Sequence, residues 1–289
     1  MTRKGVCALV FATMLMGGVK PTLAEPGDGH ESSEASIHII NGYQLVVEGR
    51  IGSLGGLRFL IDTGQTFSCI DRQVAKKLQL ALQSARVFNM DKTLRIESAE
   101  IHDLSYAGQS VPSLRVLVGD LRYSRANAAA IDGVIGLDLL ARNSFVLDLA
   151  GKRITFGASA LRAWKSVRMV SDGTCLRVAL EVDGRSVWMI ADTAMRGIVF
   201  YREELDSINA NYTTGRQING VSVGGSIPFL PALVPRLRLG GQDLDREAYL
   251  LTSGTMPRQE NAGGYIGLST LHARWIEFDF AEQVLRWAN

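Results

Sequence analysis

The amino-acid sequence predicts an all-β protein of two similar lobes with short attached helices, related by a pseudo-two-fold axis. Three observations support this fold class. Short apolar or alternating runs are separated by Gly, Asn and Asp, helical stretches are brief, and the second half repeats the first in nearly one register. With 289 residues, 46% of them hydrophobic, the chain is long enough to form two small domains.

The first 24 residues have the pattern of a signal peptide. Arg3 and Lys4 precede an apolar run at residues 6–19, and small residues at 22–24 provide a cleavage site. The apolar run is short for a membrane span. We therefore expect a periplasmic or secreted protein that is attached to a membrane only if the signal stays uncleaved. Residues 25–36 are polar, and we expect them to be disordered.

The small net positive charge of the chain belongs to its N-terminal segment. The slight excess of Lys and Arg, 31 against 29 Asp and Glu, comes from this N-terminal segment, which holds Arg3, Lys4 and Lys20 and no acidic residue among positions 1–24. Nothing else favours nucleic acid as a partner. The four histidines lack metal-ligand spacing, so we expect neither a metal nor a cofactor. Cys69 and Cys175 could pair in an oxidising compartment or remain free thiols.

The elements follow from local patterns. Strand character is evident in "YQLVVEGRI", "LRFLI", "LRVLV" and "FVLDL", whereas residues 71–80 and 201–209 are helical in pattern. The internal repeat then predicts how the chain divides into lobes. "RFLIDTG" at 58–64 corresponds to "WMIADTA" at 188–194, and the segment 132–156 corresponds to 264–287. We therefore predict a first lobe at 37–160 and a second lobe at 161–289.

The repeat places one carboxylate at the same point of each lobe. Asp62 and Asp192 each follow an apolar strand, and a pseudo-two-fold axis would bring them face to face. Two close carboxylates share one proton, since both cannot ionise cheaply. The ionised member can then activate a water molecule while the protonated member polarises a carbonyl group. This pattern points to hydrolysis without a metal or a covalent intermediate.

These motifs resemble the pepsin and retropepsin-like clan of aspartic proteases, in a bacterial, exported, bilobed form. The resemblance rests on "LIDTG" with "VIG" at 134–136 and on "IADTA" with "YIG" at 265–267. It implies acid-protease-like β-barrel lobes and an aspartic endopeptidase that acts on extended peptides or unfolded proteins. By position, it implies a loop-bracing role for Thr63, Gly64, Thr193 and Ala194, and packing beneath the loops for Gly136 and Gly267.

The resemblance also implies a hairpin flap over the cleft in each lobe. The candidate residues are Asn89 and Met90 in the first lobe and Asn219, Gly220 and Val221 in the second. The second candidate is rich in glycine and suited to a hinge, whereas the first has no glycine.

One departure from the family pattern leaves alternatives open. Ala194 stands where the family has Gly, and its methyl group would crowd a tight loop and penalise a positive φ. The chain could therefore be a single-chain protease, a homodimer that uses Asp62 of each copy, or an inactive peptide-binding module. We expect the monomeric protease. A serine hydrolase suggested by "GVSVG" at 220–224 is rejected, because Pro228, Pro231 and Pro235 follow where a helix is required.

Overall fold

The structure is a computed structural model that describes residues 14–15, 32–89, 92–121, 131–157, 165–222, 225–251 and 262–289. Strands dominate these residues, so the predicted all-β class is confirmed. The first half contains β1 (Met14–Leu15), β2 (Ser33–Ser36), β3 (His38–Ile40), β4 (Gln44–Ile51), β5 (Leu54–Ile61), β6 (Cys69–Asp71), β7 (Gln83–Asn89), β8 (Lys92–Tyr106), β9 (Gln109–Gly119), β10 (Gly133–Ile135), β11 (Phe145–Asp148) and β12 (Arg153–Phe156).

The second half repeats much of this order. It contains β13 (Lys165–Ser171), β14 (Leu176–Val182), β15 (Arg185–Asp192), β16 (Ile198–Tyr201), β17 (Thr213–Thr214), β18 (Ile218–Ser222), β19 (Gly225–Leu233), β20 (Leu237–Leu239), β21 (Gln242–Asp243), β22 (Glu247–Leu251), β23 (Gly264–Gly267), β24 (Trp275–Asp279) and β25 (Val284–Ala288). The described helices are α1 (Arg72–Lys77), α2 (Leu137–Leu140), α3 (Arg202–Ser207) and a 3₁₀ helix at Leu268–Leu271.

Each half contains a pair of neighbouring parallel strands in the same arrangement. In the first half β10 pairs in parallel with β5, with Ile135 opposite Ile61. In the second half β23 pairs in parallel with β15, with Gly267 opposite Asp192. Neighbouring parallel strands need a long crossover connection, and each half supplies it with a helix and a hairpin. This parallel pairing places the glycine motifs at 134–136 and 265–267 beside the strand ends that lead to Asp62 and Asp192.

One sheet joins the two halves. Strand β11 of the first half pairs antiparallel with β24 of the second, with Phe145 opposite Phe278. The sheet continues outward through β12 and β2 on one side and through β25 and β13 on the other. The rings of Phe145 and Phe278 stack with their centroids 4.5 Å apart. The pseudo-two-fold axis therefore passes between β11 and β24.

Strand β2 departs from the sequence expectation. Residues 33–36, which we expected to be disordered, pair antiparallel with β12. Their side chains are polar, but backbone pairing and local contacts hold them, and the Ser33 hydroxyl donates a hydrogen bond to the Ala107 carbonyl at 3.3 Å. A free sheet edge can order a polar segment that has no apolar face of its own. The predicted lobe boundary at 160–161 lies outside the described residues.

Of the predicted signal peptide, the structure describes Met14–Leu15. These residues pair antiparallel with Val87 and Phe88 of β7. Among the described residues, the structure contains no helix with the length and apolar character needed to cross a membrane.

The apolar interior forms one large core and two smaller clusters beside the loops that follow β5 and β15. We call these the first-lobe and second-lobe clusters. The first-lobe cluster consists of Val46, Leu60, Cys69, Val87, Leu117, Leu121, Ile131, Val134 and Ala194. The second-lobe cluster consists of Cys175, Ile190, Met195, Val199, Tyr201, Ile227, Phe229, Leu251, Ala262 and Tyr265. Ala194 belongs to the second half of the chain but packs in the first-lobe cluster.

The seam between the halves should contribute strongly to stability. Leu147 of β11 is 0% exposed and pairs with Ile276 across the seam, whereas Leu233 is 54% exposed. We expect Leu147→Ala to lower the free energy of unfolding by about 2–5 kcal/mol, because it removes buried methyl groups and leaves a cavity. Urea denaturation measures the loss. The matched change Leu233→Ala should cost less than about 0.5 kcal/mol, and equal costs for both variants would contradict the prediction.

Candidate active site

Asp62 lies in a tight loop directly after β5. Its backbone N–H donates to the Ile135 carbonyl at 3.0 Å, which continues the pairing of β5 with β10. The N–H of Gly64 donates to Asp62 Oδ1 at 2.9 Å. The side chain of Asp62 is 0% exposed. The strand crossing and the turn thus fix one oxygen of a fully buried carboxylate.

Asp192 occupies the equivalent position at the end of β15. The N–H of Ala194 donates to Asp192 Oδ1 at 2.7 Å, and this side chain is also 0% exposed. The same turn therefore forms with Ala194 in place of glycine.

Two threonines connect the loops across the pseudo-two-fold axis. The Thr63 hydroxyl donates to the Ala191 carbonyl at 2.8 Å and accepts the Thr193 N–H at 3.2 Å. Reciprocally, the Thr193 hydroxyl donates to the Ile61 carbonyl at 2.7 Å and accepts the Thr63 N–H at 3.1 Å. Each hydroxyl is therefore both donor and acceptor in a buried network. The four bonds set the spacing of the strand ends that carry the two carboxylates.

The two carboxylates affect each other directly. Burial raises the pKa of Asp62 well above its ordinary value, and the neighbouring Asp192 charge raises it further, while the N–H groups of Gly64 and Gln65 oppose the shift. Burial also raises the pKa of Asp192, against the N–H groups of Ala194 and Met195 and a hydrogen bond with Asp62. These causes favour a pair that retains one shared proton.

The Oδ2 atom of each carboxylate differs from Oδ1 in its partners. Asp62 Oδ2 and Asp192 Oδ2 are buried, and apart from the other carboxyl group of the pair no described group donates a hydrogen bond to them. A buried carboxylate oxygen without a donor is costly unless it is protonated or binds a ligand. The loops thus satisfy Oδ1 of each residue and leave Oδ2 available for a proton and a reacting molecule.

Gly64 and Ala194 are equivalent in the repeat but not in their surroundings. A Cβ atom at Gly64 would lie 2.5 Å from Asp192 Oδ2 and 2.5 Å from its Cγ, so a side chain does not fit there. Ala194 is 0% exposed, and its methyl group packs in the first-lobe cluster. Neither residue has a positive φ. The expectation that Ala194 strains its loop through a positive φ is therefore wrong.

Gly136 and Gly267 lie directly beneath the two loops. A Cβ atom at Gly136 would be 2.9 Å from the Gln65 carbonyl oxygen, and one at Gly267 would be 2.3 Å from the Met195 carbonyl oxygen. Both distances are shorter than a non-bonded contact, so glycine is needed at both positions for this approach of two backbones.

The flap candidates lie in two hairpins. Asn89 ends β7, which pairs with β8, and Met90 lies outside the described residues. Asn219, Gly220 and Val221 lie in β18, which pairs with β19. A Cβ atom at Gly220 would be 2.4 Å from the ring of Phe229, so this glycine also serves close packing.

Sequence reasoning missed Asp138, which follows the "VIG" segment. Asp138 accepts hydrogen bonds from the Ser68 N–H at 3.0 Å and from the Ser68 hydroxyl at 2.7 Å. Burial raises its pKa to about 6, although these bonds oppose the shift. The available signal was a difference between the repeats, since the second repeat has Ser269 at this position.

The cysteines and histidines among the described residues form no shared centre. Cys69 and Cys175 are separate buried thiols in the two different clusters. Burial raises the pKa of the Cys69 thiol to about 12, so it is an inert packing residue at neutral pH. Within the described part of the chain, no group of three or more His, Cys, Asp or Glu residues could hold a metal ion. Ser222 of the rejected elbow ends β18 and leads into the β18–β19 hairpin instead of a helix.

Comparison with known proteins identifies one family likeness. Residues 47–139 match a family model described as Aspartyl protease. The match covers about a third of the chain and includes Asp62, Gly136 and Asp138, but not the second repeat. Comparison with curated protein sequences gave no match. The first lobe is therefore similar to aspartyl proteases, and this likeness supports a protease-like function.

Each loop should be most stable with its own residue after the threonine, glycine in the first loop and alanine in the second. Gly64→Ala should lower the free energy of unfolding by about 1–3 kcal/mol, because its Cβ would overlap the Asp192 carboxylate. The reverse change in the other loop, Ala194→Gly, should cost about 1 kcal/mol, through a lost methyl contact and added freedom of the unfolded chain. Urea denaturation of both variants tests this. A Gly64→Ala protein as stable as wild type would contradict the geometry of the site.

Proposed function

We propose that this protein is an aspartic endopeptidase, a hydrolase that cleaves peptide bonds with a water molecule activated by Asp62 and Asp192. The observation that carries the proposal is the reciprocal bracing of Thr63 and Thr193, which fixes two buried carboxylates side by side on equivalent strand ends. A structural role alone does not account for a buried pair of like-charged groups, since removing either one would relieve repulsion.

The chemistry follows from one shared proton. With substrate bound, the ionised carboxylate accepts a proton from a water molecule held between the two Oδ2 atoms. The oxygen of this water attacks the scissile carbonyl carbon while the neutral carboxyl group donates its proton to the carbonyl oxygen. The resulting tetrahedral diol collapses when the carboxyl group that took the water proton protonates the amide nitrogen, the C–N bond breaks, and the other carboxylate accepts a proton from a diol hydroxyl. The pair ends with one proton, as it began.

The substrate is an extended peptide or an unfolded protein segment. Asp62 and Asp192 are both fully buried, so a substrate reaches them only when chain segments above the pair move aside. The β7–β8 and β18–β19 hairpins are the proposed flaps, and an extended substrate would bond to them through its backbone. No cofactor is required. We further propose that the protein is exported to the periplasm or secreted after removal of residues 1–24.

Two alternatives differ in what they require of the second lobe. A homodimer that pairs Asp62 with its copy would make Asp192 dispensable, whereas the raised pKa of Asp62, to which the Asp192 charge of the same chain contributes, supports a pair within one chain. We therefore propose a catalytic monomer. An inactive peptide-binding module is favoured by one feature, Ala194, which departs from the glycine expected of an active loop.

Replacement of either carboxylate should abolish cleavage. We expect Asp62→Asn and Asp192→Asn each to reduce kcat on a denatured protein substrate by at least about 10²–10⁴-fold, because a general acid or base is lost. The control is Asp243→Asn, whose carboxylate is largely exposed in β21. Light scattering gives the mass of each protein in the same buffer. Loss in the Asp62 variant alone, in a dimer, would support the homodimer, and no cleavage by wild type between pH 3 and 8 would support the binding module.

The pH dependence should reflect the raised pKa values. Activity requires the form with one shared proton, which is lost to full ionisation at high pH and to full protonation at low pH. Because burial raises the pKa of both carboxyl groups, we expect the bell-shaped profile of kcat/KM to fall on its alkaline side well above pH 4, the value for an exposed carboxyl group. A steady-state profile on a peptide substrate measures this. An alkaline limb at about pH 4 would show that the pair is not buried together during catalysis.

A further inference from the structure

We infer that Asp138 and Ser68 form a positioning pair that holds the far end of the Asp62 loop through side chains, whereas the corresponding bond at the far end of the Asp192 loop joins two backbone groups. The inference rests on the proposed function, in which the placement of Asp62 matters for catalysis. Neither residue touches the reacting atoms, so both would act through the loop.

Ser68 closes the far end of the loop that begins at Asp62. Its N–H donates to both oxygens of Asp138 at 3.0 Å, and its hydroxyl donates to Asp138 Oδ1 at 2.7 Å. The same hydroxyl accepts the N–H of Gly136 at 3.0 Å. Ser68 is 2% exposed. One buried hydroxyl therefore links the carboxylate of α2 to the glycine that packs beneath the loop.

The start of α2 binds the middle of the loop as well. The N–H of Leu137 donates to the Gln65 carbonyl at 2.9 Å, and the N–H of Asp138 donates to the Thr66 carbonyl at 3.0 Å. These donors are helix-start groups that lack partners within their own helix. The loop is thus fastened to residues 136–138 at three points, and Asp62 is fixed to the same segment through Ile135.

The corresponding bond in the second lobe joins two backbone groups. There the N–H of Gly267 donates directly to the Gly197 carbonyl at 2.7 Å. Ser269 stands where the first lobe has Asp138. Counted from the aspartate in each half, the first loop spans residues 62–68 and is one residue longer than the second, which spans 192–197. A longer loop loses more conformational entropy when it becomes ordered, so it needs further contacts to adopt one conformation.

The surroundings of Asp138 indicate a role other than stability. Its pKa is raised from 3.8 to about 6 by burial, and the charged or titratable groups that face it are Arg142 and Tyr106. Because the folded-state pKa is raised, the ionised carboxylate costs stability above pH 6, and this cost disappears as the pH falls toward 4. A residue that lowers stability near neutral pH and still organises the loop is typical of a functional site.

The test compares Asp138→Asn, Ser68→Ala and their double variant with Ser269→Ala, the matched serine change in the second lobe. Three quantities are measured in each protein: kcat and KM on one peptide substrate, amide hydrogen exchange of peptides that cover residues 62–68, and Tm at pH 7.5 and pH 5. We expect both single first-lobe variants to lower kcat about tenfold while KM stays within about twofold, since a misplaced catalytic group lowers the rate of the chemical step. Exchange of residues 62–68 should rise about tenfold in both.

The control variant and the double variant show whether the effects are specific to the Asp138–Ser68 pair. Ser269→Ala should leave kcat and exchange unchanged, and the double variant should be no slower than the slower single variant, because both changes break one unit. The Tm of Asp138→Asn relative to wild type should fall between pH 7.5 and pH 5, as wild type loses the cost of its ionised carboxylate. This trend distinguishes removal of a buried charge from general damage to the fold.

Outcomes that overturn the inference are also distinct from failure of the proposed protease. Unchanged kcat and exchange in Asp138→Asn and Ser68→Ala would overturn it, as would equal effects of Ser269→Ala. If wild type cleaves no peptide, the proposed function fails, and hydrogen exchange still decides on the positioning pair. Faster exchange of residues 62–68 in the first-lobe variants alone would then support it, and unchanged exchange would overturn it.

Discussion

The central constraint in this molecule is the burial of two carboxylates beside each other. An isolated ionised carboxylate in an apolar interior is costly, and two of them repel. The arrangement is tolerable when one proton is shared and when hydrogen bonds hold the remaining lone pairs. Gly64 and Ala194 each supply an N–H to one oxygen of the adjacent aspartate, and the threonine network prevents the two loops from separating.

That constraint explains why the two halves are joined so firmly. If the lobes could separate, the repulsion between Asp62 and Asp192 would be relieved by hydration, and the pair would lose its shared proton. The continuous sheet through β11 and β24 opposes separation below the site, and the four threonine bonds oppose it at the site itself. The methyl group of Ala194 adds a third contact, because it comes from the second half and packs among apolar residues of the first.

Much of this arrangement was predictable from sequence because the chain carries its pattern twice. A repeated strand, turn and glycine motif identifies which positions are equivalent, and the all-β class follows from short alternating runs. Other features depended on packing that no local pattern records. Strand β2 is polar and is ordered by the free edge of β12, and Ala194 avoids strain because its φ is negative and a pocket in the other lobe accepts its methyl group. Asp138 could not be recognised from the residues that the repeats share, because the second repeat has Ser269 at this position.

The differences between the repeats therefore carry information that their likeness does not. In a symmetric dimer, one sequence must serve both halves of the site, so both loops would have the same anchors and the same residue after the threonine. A single chain is free of that restriction. Here the Asp62 loop is one residue longer, is anchored by Asp138, and has a glycine with no room for a side chain. The Asp192 loop is closed by a bond between the backbones of Gly267 and Gly197 and carries an alanine. Two chemically identical carboxyl groups thus occupy unequal surroundings, and in the proposed mechanism such inequality would let one of them hold the shared proton while the other acts as the base.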